Sequence, residues 1–124
     1  MTRLLPLPAL LLAAGCAASS QPYAPVSNVR YQALGAEPFW MLSIGDDRIV
    51  LRRAGLADSA WPRVLPRTEN GVRIWVSGVN GATITVEARP GPCTAESGRV
   101  YADTVRVRAA GDALEGCGGR PVRD

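Results

Sequence analysis

The chain has 124 residues, a formal net charge of +3 and 47% hydrophobic residues, which indicates one small globular domain. It contains no histidine, and this removes the commonest general base, the commonest metal ligand and every histidine-based triad. Its basic residues are all arginines scattered along the sequence, so no basic patch for nucleic acid is expected. We therefore expect a protein that is not an enzyme, needs no metal or cofactor and binds no nucleic acid.

Residues 1–15 have the pattern of an export signal. Arg3 supplies the positive start, and Leu4–Ala14 is an apolar run that is too short to span a bilayer, which takes about 20 residues. Gly15 then precedes Cys16, as in bacterial lipoproteins, in which a peptidase cuts before the cysteine and its thiol carries diacylglycerol. We expect an exported protein held on a membrane through lipid on Cys16, with ordinary secretion as the alternative.

The residues after Cys16 indicate which membrane and how the domain is attached. Ala17 stands where lipoproteins retained at the inner membrane usually carry aspartate, so we expect the outer membrane and its periplasmic face, with the inner membrane as the alternative. Residues 16–28 are uncharged and contain small residues and prolines, which predicts a flexible tether. The domain is predicted over residues 29–118, followed by a disordered tail at 119–124.

The first half of the domain shows short alternations typical of β-strands. Strands are predicted at 29–34, 39–44 and 48–53, and a tight turn at 45–47 makes the last two a hairpin. An edge strand is predicted within 61–66, because the prolines at its ends cannot donate hydrogen bonds to a sheet.

The second half contains the clearest hairpin. It pairs 72–77 with 83–88 across Asn80–Gly81, which is typical of a type I′ turn. We expect its first strand to turn Val72, Ile74 and Val76 to the core and Trp75 outward. Further strands are predicted at 104–108 and 113–117, after a surface loop at 94–99.

This succession of strands without a convincing helix predicts an all-β domain. A small antiparallel β-barrel is favoured because consecutive hairpins suit a meander, and a two-sheet β-sandwich is the alternative.

Two cysteines remain once Cys16 is assigned to the lipid. Cys93 and Cys117 are an even pair in an oxidising compartment, which predicts a disulfide. Its loop of about 25 residues is worth about 3.5 kcal/mol in the chain-entropy model. A redox pair and a metal site are the alternatives, although redox pairs are usually Cys-x-x-Cys.

Two segments together resemble a family of uncharacterised bacterial lipoproteins and membrane-associated proteins. The first is Gly35–Trp40, which contains Glu-Pro-Phe-Trp. The second begins at Gly91-Pro92-Cys93, continues through Ser97–Tyr101 and Thr104–Val107, and ends at Leu114–Cys117. The family often has Cys-Ser-Asp-Gly-Met-Ser where this chain has Cys93–Gly98, so no role of that Asp and Met is carried over. The resemblance implies an exported small domain and implies no reaction.

Five residues are candidates for binding. Glu37 lies beside aromatic residues and Arg99 lies on a loop near a predicted disulfide, where a guanidinium suits a carboxylate or phosphate. A Glu37–Arg99 ion pair, which would link the two family segments, is a hypothesis. The other candidates are Trp40, Tyr101 and Trp75, the last as part of an exposed aromatic platform with Trp61. For each of the five, a purely structural role is the alternative.

The sequence favours a non-catalytic binding or structural module of the cell envelope. Its expected partners are the membrane, through Cys16, and an envelope protein or a small ligand. One alternative is an inhibitor of a hydrolase such as lysozyme, acting through the 94–99 loop. A second alternative is a carrier with an apolar cavity for a small ligand.

Overall fold

The structure is a computed structural model that describes residues 23–123, without the side chain of Arg123. The predicted export signal, Cys16 and the first part of the predicted tether lie outside the described residues. Within 23–123 there is no helix long and apolar enough to cross a membrane.

Nine antiparallel strands form one curled sheet that resembles half of a barrel, so the all-β prediction is confirmed. The strands are β1 (Tyr31–Gly35), β2 (Trp40–Ile44), β3 (Arg48–Arg53), β4 (Ser59–Pro62), β5 (Arg67–Glu69), β6 (Val72–Val79), β7 (Ala82–Thr94), β8 (Val100–Ala109) and β9 (Asp112–Arg123). Their order in the sheet is β4-β3-β2-β1-β9-β8-β7-β6-β5. Consecutive strands are therefore neighbours except β4 and β5, and the last strand lies beside the first.

Tight turns set the register of the hairpins. Asn80 and Gly81 both have positive φ, 51° and 82°, as the predicted type I′ turn between β6 and β7 requires. Asn70–Gly71 and Ala110–Gly111 repeat this conformation before β6 and between β8 and β9. Each turn matches the right-handed twist of its strands, which supports a continuous curled sheet.

The concave face of the sheet holds the core. In β2 and β3 the predicted inward residues Trp40, Leu42, Ile49 and Leu51 are almost completely buried. Ile44 completes the buried side of β2, and the other strands add Tyr31, Ala33, Trp61, Trp75, Ile84, Val86, Ala88, Val105, Val107 and Ala109. Side chains therefore fill the space that the sheet encloses.

In β6, Val72 and Ile74 are buried as predicted, but the predicted orientations of Trp75 and Val76 are wrong. Trp75 and Ser77 are buried at 4%, whereas Val76 is 46% exposed. Trp75 pairs with Val86 in the register of β6 and β7, so it takes the core side that Val86 occupies. The Ser77 hydroxyl donates to the carbonyl of Pro62 at 2.6 Å and joins β6 to β4 across the open side of the sheet.

The domain extends further at both ends than predicted. Residues 23–28, predicted as part of the tether, contact the outside of the β2–β3 hairpin, where Val26 is buried and the backbone N–H of Ser27 donates to Asp47 at 2.9 Å. At the other end, β9 continues to Arg123 instead of stopping at Cys117, because it pairs with β8 up to Val100.

Candidate functional site

The disulfide between Cys93 and Cys117 is present, as predicted. A register shift in β7 between Pro90 and Cys93 lets Cys93 leave the regular ladder, and its Cα lies 5.5 Å from that of Cys117 on β9. Since β8 lies between β7 and β9 in the sheet, the disulfide crosses β8 and brings residues 93–97 close to β1.

The two segments of the family resemblance meet at this disulfide. The indole N–H of Trp40 donates to the carbonyl of Glu115 at 3.4 Å. Trp40 lies against Gly35, where an added Cβ would clash with the indole nitrogen and lie 2.6 Å from Cε2 of the same ring. Gly116 also has no room for a side chain, since an added Cβ would lie 2.9 Å from the Cα of Gly35. Both glycines allow β1 and β9 to approach closely.

A groove of about 510 Å³ lies beside the disulfide and is mostly apolar. We call it the disulfide groove, and it is lined by Leu34, Gly35, Ala36, Phe39, Cys93, Thr94, Ala95, Glu96, Ser97, Thr104, Glu115, Gly116 and Cys117. Phe39 stands at its edge with half of its surface exposed. An exposed aromatic ring beside an apolar depression is a common feature of binding surfaces.

The loop that forms one wall of the groove is closed by its own backbone. The N–H of Ala95 donates to the carbonyl of Arg99 at 2.8 Å, and the N–H of Gly98 donates to the carbonyl of Ala95 at 2.9 Å. Glu96 and Ser97 are exposed on this loop. It is a compact turn fixed at its base by the disulfide.

The candidate binding residues from the sequence occupy different environments. Glu37 is exposed in the β1–β2 turn with φ of 59°, in the left-handed region that is uncommon for residues other than glycine. Trp40 is buried in the core. Arg99 is exposed at the end of the loop, and Tyr101 is half-buried in β8 opposite Cys93. The Glu37–Arg99 ion pair stays a prediction.

Trp75 and Trp61 do not form the exposed aromatic platform that the sequence suggested. Both are buried, at 4% and 6% exposure. Trp75 instead packs against Tyr31, with ring centroids 5.0 Å apart.

The residues around Trp75 include a buried carboxylate that sequence reasoning did not find. Asp103 on β8 is 6% exposed, and its Oδ2 accepts hydrogen bonds from the Tyr31 hydroxyl at 2.7 Å and from Arg73 Nη2 at 3.2 Å. The Arg73 guanidinium lies 4.9 Å from the Tyr31 ring centre and 5.4 Å from that of Trp75. We call Tyr31, Arg73, Trp75 and Asp103 the Asp103 cluster.

The electrostatics of this cluster keep Tyr31 protonated. Burial, and then the hydrogen bond to the Asp103 carboxylate, raise the pKa of the Tyr31 phenol. The hydroxyl is therefore a permanent donor to Asp103. Glycines make the space, because a Cβ at Gly118 would be 2.7 Å from the Tyr31 hydroxyl and one at Gly119 would be 2.8 Å from Asp103 Oδ2.

The chain matches no family model, no curated protein and no solved structure. The family resemblance therefore rests on Gly35–Trp40 and on the second segment between Gly91 and Cys117. In the part of the chain that the structure describes, no three Cys, Asp or Glu residues are grouped so as to hold a metal ion.

Proposed function

We propose that this protein is a lipid-anchored, non-catalytic binding module of the bacterial cell envelope and that the disulfide groove is its binding surface. The observation that carries the proposal is the groove itself, in which the exposed Phe39 ring adjoins an apolar depression beside a covalent cross-link. A surface fixed by a disulfide loses little conformational freedom when a partner binds, which favours affinity.

The chemistry of the groove indicates what kind of partner it binds. The groove is mostly apolar, with Leu34 and the disulfide, and its polar lining residues include Glu96 and Glu115. The Glu115 carboxylate already accepts hydrogen bonds from Arg106 at 2.8 and 3.2 Å, so Glu96 offers the unoccupied negative charge among the described residues of the groove. This arrangement suits a segment of a partner protein that inserts an apolar side chain and presents an arginine or lysine beside it. The core offers no comparable space for a small ligand, because Trp40, Trp61 and Trp75 are packed inside the sheet.

A displayed peptide library tests this assignment with the full chain as bait. The selected peptides should combine a large apolar residue with a neighbouring basic residue. Replacing Phe39 with serine should weaken their binding about tenfold, since an aromatic anchor at an interface is worth more than about 1 kcal/mol. Leu65→Ser is the matched control, because Leu65 is 76% exposed and lies outside the groove lining.

Three outcomes would contradict the binding proposal. They are equal losses for the two variants, selection of acidic peptides, and no enrichment over an unrelated domain. Each would show that the groove is not a specific surface for a basic and apolar segment.

The proposed anchor is tested separately. Cells given a radioactive fatty acid should label the wild-type protein and not the Cys16→Ser variant, and fractionation should place the labelled protein in the outer membrane. An unlabelled wild-type protein would refute the anchor and leave the groove assignment intact.

A second candidate function is inhibition of a hydrolase such as lysozyme, favoured by the compact 95–99 turn next to the groove. Such a turn presents Glu96 and Ser97 in a fixed conformation to an active-site cleft. Purified protein should then slow lysozyme, and Glu96→Ala with Ser97→Ala should abolish the inhibition. Unchanged lysozyme activity at saturating protein would exclude this candidate.

A further inference from the structure

A second pocket shares no lining residue with the disulfide groove and is lined by charged residues instead of mostly apolar ones. It has a volume of about 510 Å³ and lies among the start of β1, the start of β6, the first half of β8 and the end of β9. We call it the arginine pocket, because Arg30, Arg73 and Arg120 line it together with Tyr31, Asp103 and Gly119.

Arg73 is held rigidly at this pocket. Asp103 accepts a hydrogen bond from one of its N–H groups, and the central carbon of the guanidinium lies 4.9 Å from the ring centre of Tyr31 and 5.4 Å from that of Trp75. A guanidinium has five N–H donors, and the side chain of Arg73 remains 44% exposed. The N–H groups of Arg73 that do not bond to Asp103 therefore have a fixed orientation. Arg73 loses little rotamer freedom when they bind a ligand.

The other two arginines differ in their partners. Arg30 forms two hydrogen bonds with Asp46, at 2.7 and 3.0 Å, which fix its head group at the pocket edge. Arg120 is exposed on β9, and no carboxylate among residues 23–123 pairs with it. Since Arg73 is bonded to Asp103 and Arg30 to Asp46, Arg120 supplies the surplus positive charge of the pocket.

We propose that the arginine pocket binds a phosphate group, carried either by a soluble compound or by a lipid headgroup. A phosphate monoester offers three acceptor oxygens and a charge near −2, which suits the remaining N–H donors of Arg73 together with the charge of Arg120. A carboxylate offers two oxygens and one charge and uses fewer of these donors. The pocket is separate from the disulfide groove, so this proposal is independent of the proposed function.

The test is an NMR titration of the full chain with inorganic phosphate, acetate and chloride at equal ionic strength. Backbone amides of Gln32 and Gly119, which line the pocket, should shift saturably with phosphate and not with the other two ions. Glycerol phosphate and a short-chain phosphatidic acid below its micelle concentration, both phosphate monoesters, then distinguish the soluble source from the lipid source. Binding of either one supports the proposal and identifies the source.

Two variants and one control locate the binding. Arg120→Gln should weaken phosphate binding about tenfold, the size expected for one charge-assisted hydrogen bond, without disturbing the core. Arg73→Lys keeps the charge but removes the planar fork, and should weaken binding to a similar extent. The control is Arg108→Gln, an exposed arginine of β8 outside the pocket lining, which should bind phosphate like the wild type.

The proposal is overturned by unsaturable shifts, by equal shifts with all three ions, or by equal weakening in Arg108→Gln and Arg120→Gln. The last two results would show an adventitious attraction of anions to a positive surface. Amide spectra of each variant without phosphate report whether the fold is retained, so a misfolded Arg73→Lys protein leaves Arg120→Gln as the deciding variant.

Discussion

Replacing Gly116 with alanine should destabilise the domain strongly, although this substitution removes conformational freedom from the unfolded chain. At a glycine with ordinary φ and enough space, that effect stabilises by about 0.4–1 kcal/mol. At Gly116 the new Cβ would lie 2.8 Å from the carbonyl carbon of Leu34 and 2.9 Å from the Cα of Gly35. Both atoms belong to the backbone of β1, so no flexible side chain can move away.

The loss of stability arises because the backbone of β1 must move away from β9. β1 and β9 pair through only two residue pairs, Ala33 with Gly118 and Leu34 with Cys117. Overpacking costs about 1–3 kcal/mol, and each backbone group left unsatisfied when the strands separate costs about 1–3 kcal/mol more. The sum, less the entropic gain, is about 3 kcal/mol, which corresponds to a fall in Tm of roughly 12–24 °C for a domain of this size.

The assay is thermal and urea unfolding followed by circular dichroism, with the disulfide kept oxidised. Gly78→Ala is the matched control, because a Cβ there would meet its nearest atoms at 3.4 Å. We expect Gly78→Ala to unfold within about 1 kcal/mol of the wild type. A Gly116→Ala protein as stable as the Gly78→Ala protein would show that the approach of β1 and β9 is not as close as described.

Three further predictions concern the disulfide and two carboxylates. Replacing Cys93 and Cys117 together with alanine should lower the free energy of unfolding by about 3.5 kcal/mol in the chain-entropy model, as urea unfolding measures, and an unchanged midpoint would refute a constraint on the unfolded state. Hydrogen bonding to Arg30 lowers the pKa of Asp46 to about 2. Its contribution to stability should therefore be complete above its ordinary value near 4 and lost as pH falls through about 2, and acid unfolding of Asp46→Asn should lack this component. Asp103→Ala should cost about 2–5 kcal/mol, because the buried Tyr31 hydroxyl loses its acceptor and the paired arginine loses its carboxylate, and in a double-mutant cycle with Tyr31→Phe the losses should be less than additive.

Local patterns were sufficient to predict the hairpins. The β2–β3 hairpin was predicted at nearly its observed bounds, because its apolar residues alternate and a short polar turn joins its strands. The Asn80–Gly81 turn was predicted because few other residue pairs adopt two consecutive positive φ angles. In both cases the information lies within about a dozen consecutive residues.

The errors concern contacts between distant residues. In β6 hydrophobicity favoured Val76 for the core, yet pairing with β7 places Trp75 and Ser77 there. The end of β9 contains glycines and a proline and was predicted as a tail, although β8 supplies a partner strand. The orientation and the end of a strand depend on the strand with which it pairs, and the sequence of one strand does not identify that partner.

The candidate site was predictable only in part. The cysteine pair followed from counting, and the family segments indicated residues that form the disulfide groove. The Asp103 cluster could not be foreseen, because Asp103 is 72 residues from Tyr31 and 30 from Arg73. Asp103 faces the same side of β8 as Val105 and Val107 by simple alternation, but its polarity gives no reason to place it in the core without knowledge of its partners.

The place of β1 in the sheet has a consequence for how the chain acquires its structure. β1 pairs on one side with β2, the next strand to be synthesised, and on the other side with β9, the last one. While the chain is being synthesised, the other edge of β1 therefore has no partner strand and exposes the kind of backbone hydrogen-bonding groups through which sheets aggregate. Since β9 also contains Cys117, the pairing of β9 with β1 covers that edge, and the same strand supplies the cysteine that forms the disulfide with Cys93. A nascent chain is consequently most prone to aggregation before β9 has been synthesised. A truncation that removes β9 leaves β1 without a partner strand on that side.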